Sequence, residues 1–315
     1  MTLHVALIDG PMYSHLYHHL EDFIRSTGIE VEIAFQGDHP ALNAHLESYI
    51  ERPGDLPYDL VSTHSKYFPS QLPLLAPLDD LLPADAFADF APLLLDMVRL
   101  AGRTYCLPRN IDVRLLHYRT DLIETIPPTW GELLDVIRAV NDPPRRYGFV
   151  FPGMESGLFG TFYELAEMGG ARLFPPDLVP RIQNEGGRWA LNFLRTCYME
   201  GLVPPEIPGW HYDKVHDCFR DDHAVIVGDW PGYYNEYCDP DISSRIYNKF
   251  SVTRYPAGPL GRSFVYGGAH TFALTLKGAL SPDAAKLLHA ALSQPGYTVA
   301  PIALGTNTDP YQPIE

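Results

Sequence analysis

The sequence has 315 residues, more than one hydrophobic core usually serves, so its length predicts two domains. Asp and Glu number 39 against 23 for Lys and Arg, and the net charge of −16 argues against a nucleic-acid or anionic-membrane partner. No run of about 18 apolar residues is present, so the sequence predicts no membrane-spanning helix.

The first part of the chain alternates between strand and helix patterns. An apolar run over 3–8 predicts a strand, and apolar residues at helical spacing predict a helix that ends at Gly28. A strand over 29–35, a helix over 41–49 and a strand over 58–62 follow, a pattern typical of a parallel α/β sheet. Ligands bind at the carboxyl ends of such strands, where Tyr13 and His64 would lie, although a lone loop histidine is often merely solvated.

Residues 107–118 form the most informative stretch of the sequence. Their length and their content of Val, Ile and Leu predict a single strand, but Arg109, Asp112 and Arg114 would place three charges in it. One explanation is a strand that passes between two domains, with its charges lining a water-filled gap. The other is an edge strand with a solvated face.

The strand and helix pattern restarts after residue 122. Thr129 and Glu132 match a capping box that opens a helix, and a strand over 147–151 follows. A glycine loop over 153–157 precedes an aromatic helix over 159–168. Further on, a strand over 225–227 leads to Trp230, which is predicted not to be deeply buried. Trp189 is instead predicted to be part of the core. Paired glycines then precede an alternating strand over 269–274.

The four cysteines contain no CxxC pair, so neither a zinc ribbon nor an iron–sulfur cluster is supported. We therefore predict no metal site and no cofactor. Cysteine spacing does not reveal whether any two form a disulfide.

Several short segments, in this order, resemble the family-1 extracellular solute-binding proteins, the sugar-binding receptors of bacterial ABC importers. The matching segments are Tyr58-Asp59-Leu60-Val61, Pro77-Leu78-Asp79-Asp80-Leu81, Gly102-Arg103-Thr104-Tyr105-Cys106-Leu107-Pro108, Thr129-Trp130-Gly131-Glu132, Gly228-Asp229-Trp230-Pro231-Gly232 and Gly267-Gly268-Ala269-His270. The resemblance implies an α/β, two-lobed periplasmic-binding-protein-like fold of type II. Each lobe would hold a mostly parallel sheet flanked by helices, with a ligand cleft between the lobes.

On this basis the chain divides into consecutive regions. Residues 1–109 are the first part of lobe 1, 110–118 the hinge crossing, 119–255 lobe 2, 256–298 the return to lobe 1, and 299–315 an atypical tail. That tail is similar to a short segment of radical SAM proteins of the spore-photolyase type, without their CxxxCxxC motif. We expect the tail to be weakly attached to the lobes.

A sugar site needs aromatic platforms for C–H faces and charged or amide groups for hydroxyls. The resemblance places the first crossing near the cleft, Trp230 against a sugar ring, and the paired glycines on the return crossing. For each aromatic residue, lobe packing is the alternative. The predicted ligand-binding residues are Tyr13, His64, Arg109, Asn110, Asp112, Glu155, Asp229, Trp230, Tyr233, Tyr266, Gly268 and His270.

The resemblance implies a monomeric, non-catalytic carbohydrate-binding protein whose partners are ABC permease subunits. It implies a periplasmic or extracellular location, yet the first residues lack an export signal, which leaves a cytoplasmic location open. Two alternatives follow: a cytoplasmic or truncated sensor or remnant without a transport role, and a glycoside hydrolase that uses Glu155 and Asp229.

Overall fold

The computed structural model describes residues 2–9, 14–83, 85–175, 177 and 179–292. Their backbone forms two compact units. Unit 1 contains the described residues up to Asp112 and those from Gly268 onward, and unit 2 runs from Val113 to Gly267. The predicted ligand contact Tyr13 and the predicted tail over 299–315 lie outside the described residues.

Unit 1 is built on a mixed sheet whose strands, in spatial order, are β2 (Val31–Gly37), β1 (Leu3–Ile8), β3 (Leu60–His64), β12 (His270–Leu274) and β6 (Leu107–Pro108). Strand β1 is parallel to β2 and β3, whereas β12 is antiparallel to β3 and β6. Three further short strands lie outside this sheet: β4 (Arg99–Leu100), β5 (Arg103–Thr104) and, at the unit boundary, β7 (Asp112–Val113).

Helices cover both faces of this sheet because its strands are apolar on both sides. Along β1, Val5 and Leu7 join one core cluster, while Ala6 and Ile8 join another. This is the pattern of a strand buried between two layers. The helices of unit 1 are α1 (Ser14–Thr27), α2 (His39–Glu47), α3 (Phe68–Gln71), α4 (Pro92–Asp96) and α10 (Pro282–Leu292), with 3₁₀ turns at Pro53–Asp55, Leu72–Leu74 and Gly278–Leu280.

The predicted order of these first elements is confirmed, with shifted ends. The first strand matches in full, and Gly28 closes α1 with a φ of +70°, a conformation that glycine adopts at little cost. Strand β2 begins at Val31 rather than residue 29, and β3 continues through His64, which was predicted to lie in a loop.

Unit 2 contains an antiparallel sheet whose strands, in spatial order, are β10 (Phe250–Thr253), β8 (Leu115–Arg119) and β9 (Ile226–Asp229). This differs from the mostly parallel sheet predicted for each lobe. The predicted strand over 147–151 is wrong: Tyr147 and Val150 form only isolated parallel bridges, to Ala224 and Val227. The strands of unit 2 are β8 (Leu115–Arg119), β9 (Ile226–Asp229) and β10 (Phe250–Thr253), and β11 (Gly267–Gly268) lies at the unit boundary.

The helices of unit 2 surround its main core. Thr129 accepts a hydrogen bond from the backbone N–H of Glu132, which confirms the predicted N-cap, and Trp189 packs against the core as predicted. The helices are α5 (Trp130–Val140), α6 (Glu155–Met168), α7 (Glu185–Met199), α8 (Tyr212–Arg220) and α9 (Tyr234–Tyr237), with 3₁₀ turns at Ile207–Gly209 and Pro231–Tyr233.

The predicted single strand over 107–118 is broken into β6, β7 and β8. Strand β6 pairs in the sheet of unit 1, whereas β8 pairs in the sheet of unit 2. The prediction that its charges line a water-filled gap fails for Arg114, whose side chain is 1% exposed and paired within unit 2.

All four cysteines lie in the described part of the chain and carry free thiols. Within that same part of the chain, no helix has the length and apolar character needed to cross a membrane.

Candidate functional site

Three histidines converge at one end of the unit 1 sheet. His64 ends β3 and pairs in register with His270, which begins β12. His39 is the first residue of α2, directly after the end of β2. The three imidazole centroids lie 4.9 Å to 5.3 Å apart. We call His39, His64, His270 and the adjacent Asp112 the polar cluster.

Asp112 is held against these imidazoles by Asn110. The Asn110 side chain donates to Asp112 Oδ1 at 2.9 Å and accepts from the backbone N–H of His270, also at 2.9 Å. The other carboxylate oxygen of Asp112 lies 3.4 Å from His270 Nε2 and 4.0 Å from His64 Nε2. Asn110 therefore fixes the register between the first chain crossing and β12.

Burial sets the charges in the polar cluster. It lowers the pKa of His64 to about 3 and that of His270 to about 2, with the neighbouring imidazole and Arg109 charges acting in the same direction. It also raises the pKa of Asp112 to about 6. At neutral pH both imidazoles are therefore uncharged.

Arg109 lies beneath the polar cluster rather than on its surface. Its side chain is buried, with the guanidinium carbon 5.3 Å from the centre of the Phe272 ring. The Tyr17 hydroxyl accepts a hydrogen bond from the guanidinium and donates to the Ile8 carbonyl. Arg109 is thus anchored to the sheet.

Because Gly268 has no side chain, the His64 imidazole can occupy the space beside it. A Cβ at this position would lie 2.6 Å from His64 Cε1 and 2.9 Å from Nε2, closer than packed atoms approach. Any larger residue would displace the imidazole.

Three aromatic rings meet at the end of β9 in unit 2. Trp230, just after the strand, lies 5.8 Å from Tyr266 and 5.7 Å from Tyr212 between ring centroids, both in edge-to-face geometry. Trp230 is only partly buried, as the sequence predicts. We call Trp230, Tyr212 and Tyr266 the aromatic group.

A buried ion pair lies beneath the aromatic group. Arg114 contacts Glu164 at 3.1 Å and donates to the Gly228 carbonyl at 3.1 Å, while Glu164 accepts from the Tyr266 backbone N–H at 3.0 Å. The Arg114 guanidinium carbon lies 5.9 Å from the Trp230 ring centre and 6.0 Å from that of Tyr212. Burial raises the pKa of Glu164 to about 7, against the opposing charge of Arg114.

Asp229 supports the aromatic group from behind. Its carboxylate is 2% exposed, accepts from the Trp230 backbone N–H at 2.8 Å and from the Tyr237 hydroxyl, and lies 3.3 Å from His216 Nδ1. Burial alone would raise the pKa of Asp229, but the bond from His216 and the imidazole charges hold it below its usual value.

The structure groups the predicted residues unevenly. His64, Arg109, Asn110, Asp112, Gly268 and His270 lie together in unit 1, and Trp230 lies beside Tyr266 in unit 2. Tyr233 instead stacks on His216 and donates to Asp213. Glu155 is exposed as the first residue of α6 rather than in a loop, and forms no ion pair with another predicted residue in the described chain.

Sequence reasoning missed His39, Tyr212 and the pairing of Arg114 with Glu164. His39 carries a local signal, because Asp38 caps α2 directly after a strand and so places the next residue at the sheet edge. Glu164 lies in the interior of a helix, where nothing local indicates a partner in a distant strand.

No protein-family model matches the sequence. A putative binding protein of Brucella abortus is 24% identical over 199 residues, which cover 61% of this chain and 47% of that protein. A probable ABC transporter-binding protein of Deinococcus radiodurans is 23% identical over 230 residues, covering 68% and 53%. The maltotriose-binding protein of Pyrococcus abyssi is 29% identical over 165 residues, covering 50% and 34%. This chain thus spans about half the length of the first of these relatives.

Solved structures match over most of the chain. Maltose-bound MalE3 of T. maritima has a TM-score of 0.80 and 24% identity, covering 91% of this chain and 76% of that one. A solute-binding protein of an ABC transporter from Agrobacterium radiobacter, in complex with ribitol, has a TM-score of 0.79 and 20% identity, covering 93% and 76%. The chain therefore has the two-lobed α/β fold of these binding proteins.

Proposed function

We propose that the chain is the substrate-binding protein of an ABC importer and that its ligand is a carbohydrate or polyol. The aromatic group at the end of β9 carries this proposal. A partly exposed indole, flanked by two tyrosine rings and backed by a buried ion pair, is suited to stack on the C–H face of a sugar ring. The named ligands of the relatives, maltotriose, maltose and ribitol, are of the same chemical class.

The polar cluster and Asn110 are proposed to bind sugar hydroxyls. A carboxylate, an amide and neutral imidazoles offer both donors and acceptors, as a hydroxyl requires. Asp112 is already oriented by Asn110, so it pays little conformational entropy on binding. We assign Arg109 and Asp229 supporting roles, since the Arg109 guanidinium packs on the Phe272 ring and the Asp229 carboxylate accepts from the Trp230 backbone N–H.

We propose binding without turnover. A glycoside hydrolase needs one carboxyl group that is protonated beside the scissile bond and a second that flanks it. Asp229 is 2% exposed and its pKa is held low, so its carboxylate is placed to support Trp230 rather than to reach a substrate. Both the burial and the low pKa disfavour Asp229 as the general acid of that mechanism.

The partners follow from the same proposal. An ABC importer delivers its ligand through permease subunits, so we propose that these bind the loaded chain outside the cytoplasmic membrane. We further propose that the chain acts as a monomer. The Deinococcus relative, named as an ABC transporter-binding protein, supports the transport assignment.

The test is calorimetric titration of the chain with maltotriose, maltose, mannitol and ribitol, first unchanged and then as Trp230→Ala. We expect micromolar binding of at least one ligand and a loss of about 2 kcal/mol or more in the variant, roughly thirtyfold in affinity. Circular dichroism should show that the variant remains folded, because the Trp230 ring is only partly buried.

Tyr198→Ala is the matched control, since it removes an exposed aromatic ring of the same unit from the outer face of α7. The proposal is wrong if Trp230→Ala binds as the unchanged chain does, or if a ligand is cleaved during titration. Unfolding of Trp230→Ala without a separate loss of affinity would instead identify the ring as core.

A further inference from the structure

The polar cluster contains three imidazole side chains, more than hydrogen bonding to a sugar requires. The nitrogens that His39, His64 and His270 offer all lie within 4.8 Å of one another. Each residue is fixed at an element boundary: His64 ends β3, His270 begins β12, and His39 begins α2 behind its Asp38 cap. Three ring nitrogens are thus held on regular structure around one small volume.

The donor set matches the preferences of one class of ligand. Imidazole nitrogen combined with a single carboxylate is typical of Zn²⁺ and its late first-row neighbours, whereas Mg²⁺ and Ca²⁺ prefer oxygen donors. Asp112 lies 3.4 Å from His270 Nε2 and can supply the carboxylate.

We propose that His39, His64 and His270 bind one late first-row divalent cation, of which Zn²⁺ is the reference ion, with the Asp112 carboxylate as a further ligand. The sequence predicts no metal site because its cysteines contain no CxxC pair, and the three histidines are too distant in the chain to form a motif. The proposal goes beyond carbohydrate binding and does not rest on it, since metal binding can be measured without any sugar.

Binding requires small, specific movements. Nitrogens at about 2.0 Å from a tetrahedral ion lie about 3.3 Å apart, so the rings must turn inward from their present separation. His64 Nδ1 accepts a hydrogen bond from the Lys66 backbone N–H at 3.0 Å, which places the imidazole hydrogen on Nε2. Coordination through either nitrogen therefore breaks this bond, and coordination through Nε2 moves the hydrogen to Nδ1.

Charged groups near the polar cluster include some that favour cation binding and some that oppose it. The Arg109 guanidinium and the Lys66 ammonium act on His64 and oppose a positive ion, whereas the Asp112 carboxylate favours one. Gly268 contributes no side chain, and the His64 ring already fills the space that a Cβ would take. The site is consequently expected to hold its ion exchangeably.

The experiment titrates the metal-free full chain with Co²⁺ and follows the visible d–d absorption that four-coordinate Co²⁺ shows, then displaces the Co²⁺ with Zn²⁺. We expect one ion per chain. His39→Gln and His270→Gln should each lower the affinity by about tenfold or more, since even outer-shell partners contribute about 10–100-fold. His289→Gln, which removes an exposed histidine from α10, should bind as the unchanged chain does.

His39→Gln is the decisive variant, because His39 begins a helix at the edge of the sheet and its replacement leaves the core intact. Its fold is checked by circular dichroism. The proposal is overturned if the unchanged chain binds no Co²⁺ or Zn²⁺, if His39→Gln binds with equal affinity, or if His289→Gln loses affinity to the same extent. A sugar titration without metal tests carbohydrate binding separately, so the two failures are distinguishable.

Discussion

The polar cluster of unit 1 and the aromatic group of unit 2 differ in what lies behind them. Behind the polar cluster lie the sheet of unit 1 and the buried Arg109 guanidinium, which packs on Phe272, and the imidazoles are placed by strand register and by the space that Gly268 leaves. Behind the aromatic group is a buried charge pair, Arg114 and Glu164, which contacts the rings or their backbone. Unit 1 therefore positions polar groups by packing, and unit 2 positions apolar rings by charge.

The largest expected effect comes from breaking the charge pair of unit 2. Arg114→Met leaves Glu164 buried without its partner, so the carboxyl group must keep an uncompensated charge or take up a proton, and the free energy of unfolding should fall by about 3–5 kcal/mol. Denaturant unfolding followed by circular dichroism measures this change.

The double variant Arg114→Met, Glu164→Gln is its control. It removes both charges and keeps an acceptor for the Tyr266 backbone N–H, so most of the lost stability should return. Equal destabilisation of the single and double variants would show that packing around Arg114, and not the charge pair, supports the aromatic group.

A second variant tests whether unit 1 depends on space. Gly268→Ala places a methyl group 2.6 Å from His64 Cε1, and the displaced ring should cost about 1–3 kcal/mol. Gly54→Ala is the matched control in the same unit, because a Cβ there meets no atom within 4 Å. If both variants melt at the same temperature, His64 has freedom to move and the packing account of unit 1 is incorrect.

The sequence predicts those parts of the fold that depend on residues close together in the chain. The alternation of strand and helix in unit 1, the helix end at Gly28 and the cap at Thr129 are local patterns, and all were predicted. Residues 107–118 were predicted as one strand because hydrophobic content does not reveal that its two ends pair in different sheets.

The site residues divide in the same way. Trp230 was predicted to be partly exposed because it lies between a strand end and a Pro-Gly turn, which is a local signal. Arg114 was predicted to face water because an unpaired charge cannot be buried, yet its partner Glu164 comes from a helix elsewhere in the chain. Tertiary pairing of this kind is invisible to a single sequence.

The smallest expected effect concerns pH and tests whether unit 2 also contains neutral imidazole. Burial lowers the pKa of His117 from 6.5 to about 4. Between these values the unfolded chain binds more protons than the folded chain, so stability present above pH 6.5 is lost as the pH falls. Between pH 7 and pH 5.5 this residue should account for about 1 kcal/mol of the loss.

His117→Phe removes that contribution, and the new ring meets Phe219, Tyr237 and Phe250, which already surround the imidazole. Melting temperatures of the unchanged chain and the variant at the two pH values give the comparison. An unchanged pH dependence in the variant would assign the acid sensitivity to other groups, and the histidines of unit 1 would then be the first to replace.

The hydrogen bond from the Trp230 backbone N–H to Asp229 separates the path of the main chain from the identity of the side chain. Asp229 holds the backbone through a bond that any residue except proline can donate, and Tyr237 and His216 fix the carboxylate from the interior. Exchanging the indole for another ring therefore leaves the scaffold of this loop intact. Under the proposed function, position 230 is accordingly a point at which related sequences can change the ligand that they bind with little effect on folding.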